Sequence, residues 1–186
     1  GKEFIQLKYE ENIFQSHLIG NYNFDNIAAA VALGLYFEVP VDKIQKGIEE
    51  YIPDNNRSQL IYKGNNVIIM DGYNANPTSM MAALENFKIQ EHKNKLLFLG
   101  DMFELGSSSH EEHQLITDYL SKDFIGNTYL IGRNFFDTKT DNPFVDRFKD
   151  FEDLEPELKQ NPPKDALILI KGSRGMKLER ILDLIS

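Results

Sequence analysis

Four short, almost uninterrupted apolar runs, residues 67–70, 96–99, 128–131 and 166–170, alternate with segments of helical periodicity beyond residue 57. Runs this apolar read as strands buried on both faces, which requires a largely parallel sheet with helices packed against each side. The intervening segments 78–90, 109–120, 151–160 and 176–185 fit helices, and a β-rich run at 60–62 precedes the series. Strands alternating with helices predict a doubly wound, mainly parallel α/β sheet with right-handed crossovers. Ser109 and Glu112 stand at capping-box spacing, so the helix is expected to start there. Residues 137–150 lack periodicity and read as a loop with a short edge strand.

The first third of the chain reads differently. Residues 3–9 suggest one strand with a helix following it. Residues 23–37 are rich in Ala, Leu and Val, with Ile27, Val31 and Leu35 four apart, as are Ala28 and Ala32, which predicts a helix buried on most sides. Pro40 ends it, and residues 41–51 read as a second helix with Ile44 and Ile48 on one face. Pro53-Asp54-Asn55-Asn56 places four structure breakers between periodic segments. A domain boundary is expected there, separating residues 1–54 from 55–186.

Composition narrows the function. The chain has 186 residues and a net charge of −9, the wrong balance for a phosphate-backbone footprint, so the expected partners are small molecules rather than nucleic acid. It has no cysteine, hence no disulfide framework and no thiolate metal site, which fits a reducing compartment. No apolar stretch approaches the roughly 20 residues needed to span a bilayer. The chain begins at Gly1 without a signal peptide and is expected to be a piece of something longer.

Polar and glycine-rich sequences sit where the apolar runs end. These are Asp71-Gly72, Gly100-Asp101, Gly132-Arg133 and Lys171-Gly172-Ser173-Arg174-Gly175, all expected on one edge of the sheet, where ligand crevices of open α/β sheets form. Asn76 and Pro77 suit the cap and first position of the helix that follows Asp71. Turn chemistry alone explains this stretch as well as a ligand does. Lys171 and Arg174, two cations around two glycines, fit a carboxylate or phosphate site, although a solvated helix N-terminus is the plainer reading. His110 and His113 at the start of a helix do not form a zincin motif, no metal site is expected within the chain, and the phenylalanines read as core. No Gly-x-Gly-x-x-Gly, Gly-x-Ser-x-Gly or Gly-x-x-x-x-Gly-Lys-Ser/Thr occurs.

Five ordered blocks together carry a resemblance. Gly20 to Ala30 (Gly-Asn-Tyr-Asn-Phe-Asp-Asn-Ile-Ala-Ala-Ala), Asn56-Arg57-Ser58-Gln59, Asp71 to Met80 (Asp-Gly-Tyr-Asn-Ala-Asn-Pro-Thr-Ser-Met), Leu99 to Gly106 (Leu-Gly-Asp-Met-Phe-Glu-Leu-Gly) and Lys171-Gly172-Ser173-Arg174 resemble the Mur ligases of peptidoglycan synthesis. The resemblance covers nearly the whole chain and is strongest to the branch that joins D-alanyl-D-alanine to UDP-N-acetylmuramoyl-tripeptide. It implies a Rossmann-like C-terminal ligase domain in residues 55–186, preceded in 1–54 by the end of a central ATP-binding domain. It also implies ATP-dependent amide ligation through an acyl phosphate, ATP and Mg²⁺ as cofactors, and a bacterial cytoplasmic location. The phosphate loop, the Mg²⁺ ligands and the UDP-sugar domain would lie upstream of Gly1, so the chain alone would be inactive.

Carried over by position, the resemblance implies that Asn23 and Asn26 meet the adenine, Arg57 and Asp71 address the ribose and phosphates, and Asn76 lines the same cleft. Ser79, Lys171, Ser173 and Arg174 would recognise substrate, the last three through the D-alanyl-D-alanine carboxylate. Asp101 and Glu104 fall in a block whose role is open, general-base help to the incoming ammonium being one reading. A sibling ligase, such as another Mur enzyme or a folylpolyglutamate synthetase, and a non-catalytic nucleotide-binding or interaction module remain alternatives.

Overall fold

The computed structural model describes residues 4–20, 23–123 and 125–185, in which the chain forms two units, Gly1–Asp54 and Asn55–Ser186. In the first, β1 (Gln6–Tyr9) and β2 (Asn12–Gln15) make an antiparallel hairpin that sets Leu7 opposite Phe14. These two side chains pack with Ile27 and Val31 of α1 (Phe24–Tyr36) and Ile44 and Ile48 of α2 (Val41–Glu49). The second strand departs from the expected strand-then-helix order. Its turn runs through Glu10 at φ 53 and carries none of the Asn-Gly or Asp-Gly chemistry that marks a hairpin in sequence. Residue 3 of the expected strand, and Asn21 and Tyr22 of the first resemblance block, lie outside the described residues.

Helix α1 also differs from expectation. Only Ile27 and Val31 are buried, while Leu33 and Tyr36 are exposed, so one stripe rather than most of the helix is covered within this unit.

The second unit is a six-stranded sheet of order β3-β4-β8-β5-β6-β7. Its strands are β3 (Gln59–Lys63), β4 (Asn66–Asp71), β5 (Lys95–Gly100), β6 (Asn127–Ile131), β7 (Val145–Phe148) and β8 (Leu167–Lys171). All neighbours are parallel except the β3–β4 edge hairpin. The helices are α3 (Pro77–Lys88), α4 (Ser109–Lys122), α5 (Arg133–Phe136) and α6 (Phe151–Gln160). Strand alternation sends Ile68, Met70, Leu96, Phe98, Ile168 and Ile170 to one face, where Leu154 and Leu158 of α6 cover them together with Leu178 and Ile181. Leu97, Leu99 and Leu169 take the alternate positions. Met80, Leu84 and Phe87 of α3 and Ile116 and Leu120 of α4 are buried outside the first cluster. The mixed, mostly parallel α/β sheet therefore stands as read from the apolar runs.

Two local expectations fail. Ser109 is not a cap: α4 continues from a 3₁₀ turn at Gly106–Ser108, its N-cap Ser108 has helical dihedrals and no capping hydrogen bond, and no extended residue is left to open a capping box. Residues 176–185 do not form an α-helix either. They form 3₁₀ turns at Arg174–Met176 and Leu178–Leu184, separated by Lys177 in the left-handed region. Tertiary packing overrides helix propensity here. Gly100 and Gly172 bring the ends of β5 and β8 together and leave room for Leu178, whose Cδ1 lies 2.8 Å from where a Cβ on either glycine would stand.

β8 is last in sequence but lies between β4 and β5. The chain leaves β4 and β5 toward α3 and α4, whereas the segment after β8 turns to the face covered by α6, so the crest at the strand ends splits between β8 and its neighbours. This is a switch point, where α/β sheets open a ligand crevice.

Gly132 closes the next strand end at φ 124, ψ 160, and a Cβ there would lie 2.3 Å from Asp101 Cγ. Gly132→Ala is expected to destabilise the second unit by about 3 kcal/mol, measured by urea unfolding followed by circular dichroism. A loss below about 1 kcal/mol would show that this crest relaxes freely.

Candidate functional site

Parallel register places Asp71 of β4 directly beside Lys171 of β8, which in turn faces Leu99 of β5. Opposite charges at neighbouring cross-strand positions attract, and the attraction strengthens as water is excluded. Lys171 Nζ donates to Asp71 Oδ2 at 2.5 Å and reaches the Asn74 carbonyl at 3.4 Å. The lysine side chain is 2% exposed and the aspartate 13%. The other aspartate oxygen, Oδ1, accepts from the backbone N–H of Ser58 at 3.1 Å. Lys171 is thus enclosed and paired inside the crest, its ammonium directed at Asp71 and the Asn74 carbonyl.

The Ser58 bond brings the start of the second unit onto the crest. Asn56 and Ser58 both take left-handed dihedrals, at φ 59 and 49, and the Asn56 carbonyl accepts from the Tyr73 N–H. Between them Arg57 is exposed, with its guanidinium carbon 3.7 Å from the centroid of the Tyr73 ring. Arg174, exposed in the loop after β8, places its guanidinium carbon 5.2 Å from the same ring. Among the described residues neither arginine has an ion pair. One carboxylate, Asp71, therefore stands with three cations in a chain that is acidic overall.

Ser173 does not present its hydroxyl to this opening. It is buried, its Oγ accepts from the Phe103 N–H at 2.8 Å, and its own N–H donates to the Asp101 carbonyl. Asn76 and Ser79 engage each other: the Asn76 side chain accepts from the Ser79 N–H at 2.8 Å, and Ser79 Oγ accepts from the Asn76 N–H. The pair is a reciprocal cap on α3, completed by Pro77 at the first helical position.

Asp101 is the best-anchored carboxylate of the crest. Its Oδ2 accepts from the Asn134 N–H and side-chain amide, and its Oδ1 from the Phe135 N–H, so it caps α5. It is 3% exposed, buried beneath these bonds. Glu104 in the same loop is exposed at φ 67 and is not drawn into the Tyr73 cluster. Buried His113 holds the loop from below. Its Nε2 accepts from the Met102 N–H at 3.0 Å and its Nδ1 lies 2.6 Å from the Ser109 carbonyl. Only the neutral, Nδ1-protonated ring satisfies both partners.

The first unit contains an apolar cavity of about 250 Å³ lined by Leu18, Asn26, Ile27, Ala30, Ile48 and Tyr51, among others. Asn23 is buried beside it, donating to the Ile19 carbonyl and accepting from Asn26 Nδ2 at 3.1 Å. Of the two expected amides, Asn26 is the one that lines a cavity and Asn23 the one that orients it.

Residues 56–174 match the family described as Mur ligase, glutamate ligase domain. The chain belongs to the Mur ligase family. It is 36% identical over 188 residues to the UDP-N-acetylmuramoyl-tripeptide--D-alanyl-D-alanine ligase of Bacillus subtilis, covering 96% of this chain and 41% of that Mur ligase. Among solved structures it superposes on MurF from Acinetobacter baumannii with a TM-score of 0.85 at 28% identity, covering 98% of this chain and 44% of the other. MurF from Thermotoga maritima, solved in complex with ADP, superposes with a TM-score of 0.76 at 21% identity, covering 97% and 44%. The chain therefore spans less than half the length of these Mur ligases.

Tyr73 and Ser58 were not singled out from the sequence. Tyr73 does leave a signal, an aromatic residue two positions past a strand-ending aspartate, but Ser58 acts through its backbone and leaves none.

Removing one partner of the buried pair strands a charge. Asp71→Ala is expected to destabilise by about 3–5 kcal/mol, and Lys171→Met by less, because the Asp71 carboxylate it leaves is the more exposed partner and keeps the Ser58 N–H. The double variant should lose less in urea unfolding than the two single losses added together; additive losses would show that the pair is not the organising contact. In ¹⁵N NMR spectra at neutral pH, His113 is expected to be protonated at Nδ1 alone, and an Nε2-protonated ring would contradict the loop anchoring.

Proposed function

We propose that this chain is the C-terminal portion of an ATP-dependent amide ligase that joins D-alanyl-D-alanine to UDP-N-acetylmuramoyl-tripeptide, in the bacterial cytoplasm. The observation that carries the reading is the pair of exposed guanidinium groups of Arg57 and Arg174, without an ion pair among the described residues, at the switch point of a Mur ligase sheet. The names of the relatives supply the substrates. No helix among the described residues is long and apolar enough to cross a membrane.

A carboxylate resists attack by an amine because its leaving group is poor. ATP, when bound, supplies the phosphoryl group that turns the tripeptide carboxylate into an acyl phosphate. The dipeptide amine then attacks the acyl carbon, the amide C–N bond forms, the C–O bond to phosphate breaks, and the ammonium proton is lost. Each stage carries concentrated anionic charge that guanidinium groups neutralise without proton exchange, since arginine stays charged at working pH.

Within that scheme this chain's residues divide into contacts and supports. Arg57 receives the phosphoryl region and Arg174 the carboxylate of the dipeptide. Lys171 and Asp71 hold the Arg57 turn, Ser173 holds the loop that carries Arg174, and Asn76 and Ser79 fix the start of α3. Of the two loop carboxylates only Glu104 is exposed to accept a proton from the incoming amine. In the first unit, the cavity has the dimensions of a heterocyclic base rather than a whole nucleotide, and its apolar walls with one amide suit adenine held by Asn26. No group of three or more His, Asp or Glu side chains among the described residues is placed to hold a metal ion, and no step here depends on Mg²⁺.

The test is phosphate release by the full-length ligase that contains this chain, given ATP, Mg²⁺, UDP-N-acetylmuramoyl-tripeptide and either D-alanyl-D-alanine or glutamate. Release should require the dipeptide, and Arg174→Ala should lower kcat/KM for it by about 100-fold with little change in nucleotide affinity. Release with glutamate alone would replace this reading with a folate-type ligase, and release with neither would make the chain part of a non-catalytic module.

A further inference from the structure

Three loops converge on Tyr73. Arg57 arrives before β3, Tyr73 itself follows β4, and Arg174 follows β8, yet both guanidinium groups lie against the one ring, at 3.7 and 5.2 Å from its centroid. Two like charges this close repel, and each arginine side chain loses rotamer freedom when held in place. Neither has a carboxylate partner among the described residues to offset this. The electron-rich face of an aromatic ring is the contact present here that attracts both.

The ring is itself held from two sides. Buried Lys171 grips Asp71 and the Asn74 carbonyl, the residues that straddle Gly72 and Tyr73. The Tyr73 N–H donates to the Asn56 carbonyl, next to Arg57. The hydroxyl, by contrast, has no hydrogen bond recorded among the described residues, and the side chain is partly exposed. What the surroundings use is the ring and its backbone, not the phenol oxygen.

We propose that Tyr73 is a positioning residue: its ring holds the Arg57 and Arg174 guanidinium groups at one opening, Arg57 for the phosphoryl region and Arg174 for the carboxylate, with both in reach of a small polyanion such as pyrophosphate. This rests on the reading of the two arginines as the anion-receiving pair. It gives Lys171 a defined indirect part, since the lysine fixes the strand end from which the ring projects.

The experiment titrates the 186-residue chain with pyrophosphate while following the ¹H–¹⁵N signals of the Arg57 and Arg174 Nε–H groups. In the unaltered chain both signals should be displaced by the ring current of Tyr73 and should move together along one binding curve. Tyr73→Leu should abolish the displacement and weaken pyrophosphate binding at least tenfold, while its urea midpoint and backbone spectrum stay close to the parent. Tyr73→Phe, which keeps the ring and loses only the hydroxyl, should bind within twofold of the parent. A general structural role would leave no reason for that rescue. The proposal is overturned if Tyr73→Leu binds within twofold of the parent, or if Tyr73→Phe loses as much as Tyr73→Leu. Binding lost in Arg174→Ala but unmoved in Tyr73→Leu would leave the anion-receiving pair standing and remove only the role of Tyr73. Absence of binding in the parent would remove both.

Discussion

The buried ion pair between Asp71 and Lys171 is the contact on which the crest of the second unit depends. It lies at the junction of β4 and β8, the first and last strands of the parallel set, and joins residues 100 positions apart in sequence. An ammonium this enclosed is tolerable only with a carboxylate at hydrogen-bond distance and further acceptors around it. Asp71 meets that need with one oxygen and uses the other to hold the Ser58 N–H, so the constraint passes from the sheet to the turn that presents Arg57. Asn74 receives the same ammonium on the far side of Tyr73. One buried charge thereby fixes the backbone on both sides of the residue against which the two arginines rest.

Insertion of β8 between β4 and β5 explains why the crest can open at all. Had the last strand been added at the edge, its loop would have followed its neighbours to one face and no crevice would divide the strand ends. The close approach of Gly100 and Gly172 lets β5 and β8 meet with Leu178 seated over them, and the resulting 3₁₀ segment covers the face opposite α3 and α4. On the β5 side, Asp101 and His113 perform the anchoring that Lys171 and Asp71 perform on the β4 side. Asp101 ties α5 and the Ser173 N–H to the strand end, and His113 accepts from Met102. Two polar clusters, one ionic and one neutral at its histidine, thus brace the two sides of the switch point.

Sheet class and strand positions were legible because both rest on short-range pattern: four apolar runs at strand length and the punctuation between them. The short edge strand expected in 137–150, a stretch without periodicity, is β7. What escaped depends on partners distant in sequence. The β1–β2 hairpin turns through Glu10 without turn residues, so no local signal announces it. The 3₁₀ ending at Leu178–Leu184 has a helical pattern in sequence and loses it to the glycine gap between β5 and β8, which no window around residue 178 contains. The strand-end polar residues were found, but their partners were not, because whether a polar side chain faces solvent or a neighbour is decided by register, as where β4 places Asp71 beside Lys171.

That distinction separates two kinds of residue within the same motifs. Lys171, Ser173, Asn76, Ser79, Asp101 and Asn23 have their hydrogen-bonding atoms engaged by other parts of the chain, and each engagement fixes a loop or a helix start. Arg57, Arg174 and Asn26 are exposed at an opening or line a cavity. A site built this way separates the energetic cost of holding charge in place from the act of binding: the supporting groups are hydrogen-bonded before any ligand arrives, so the others need no rearrangement to meet it. It follows that substitutions in the first group should act first on stability and the geometry of the crest, and those in the second on ligand affinity with the fold intact. Tyr73 stands between the groups, since its backbone belongs to the support and its ring to the opening. It is therefore the position at which the two effects should be separable by keeping or removing an aromatic ring.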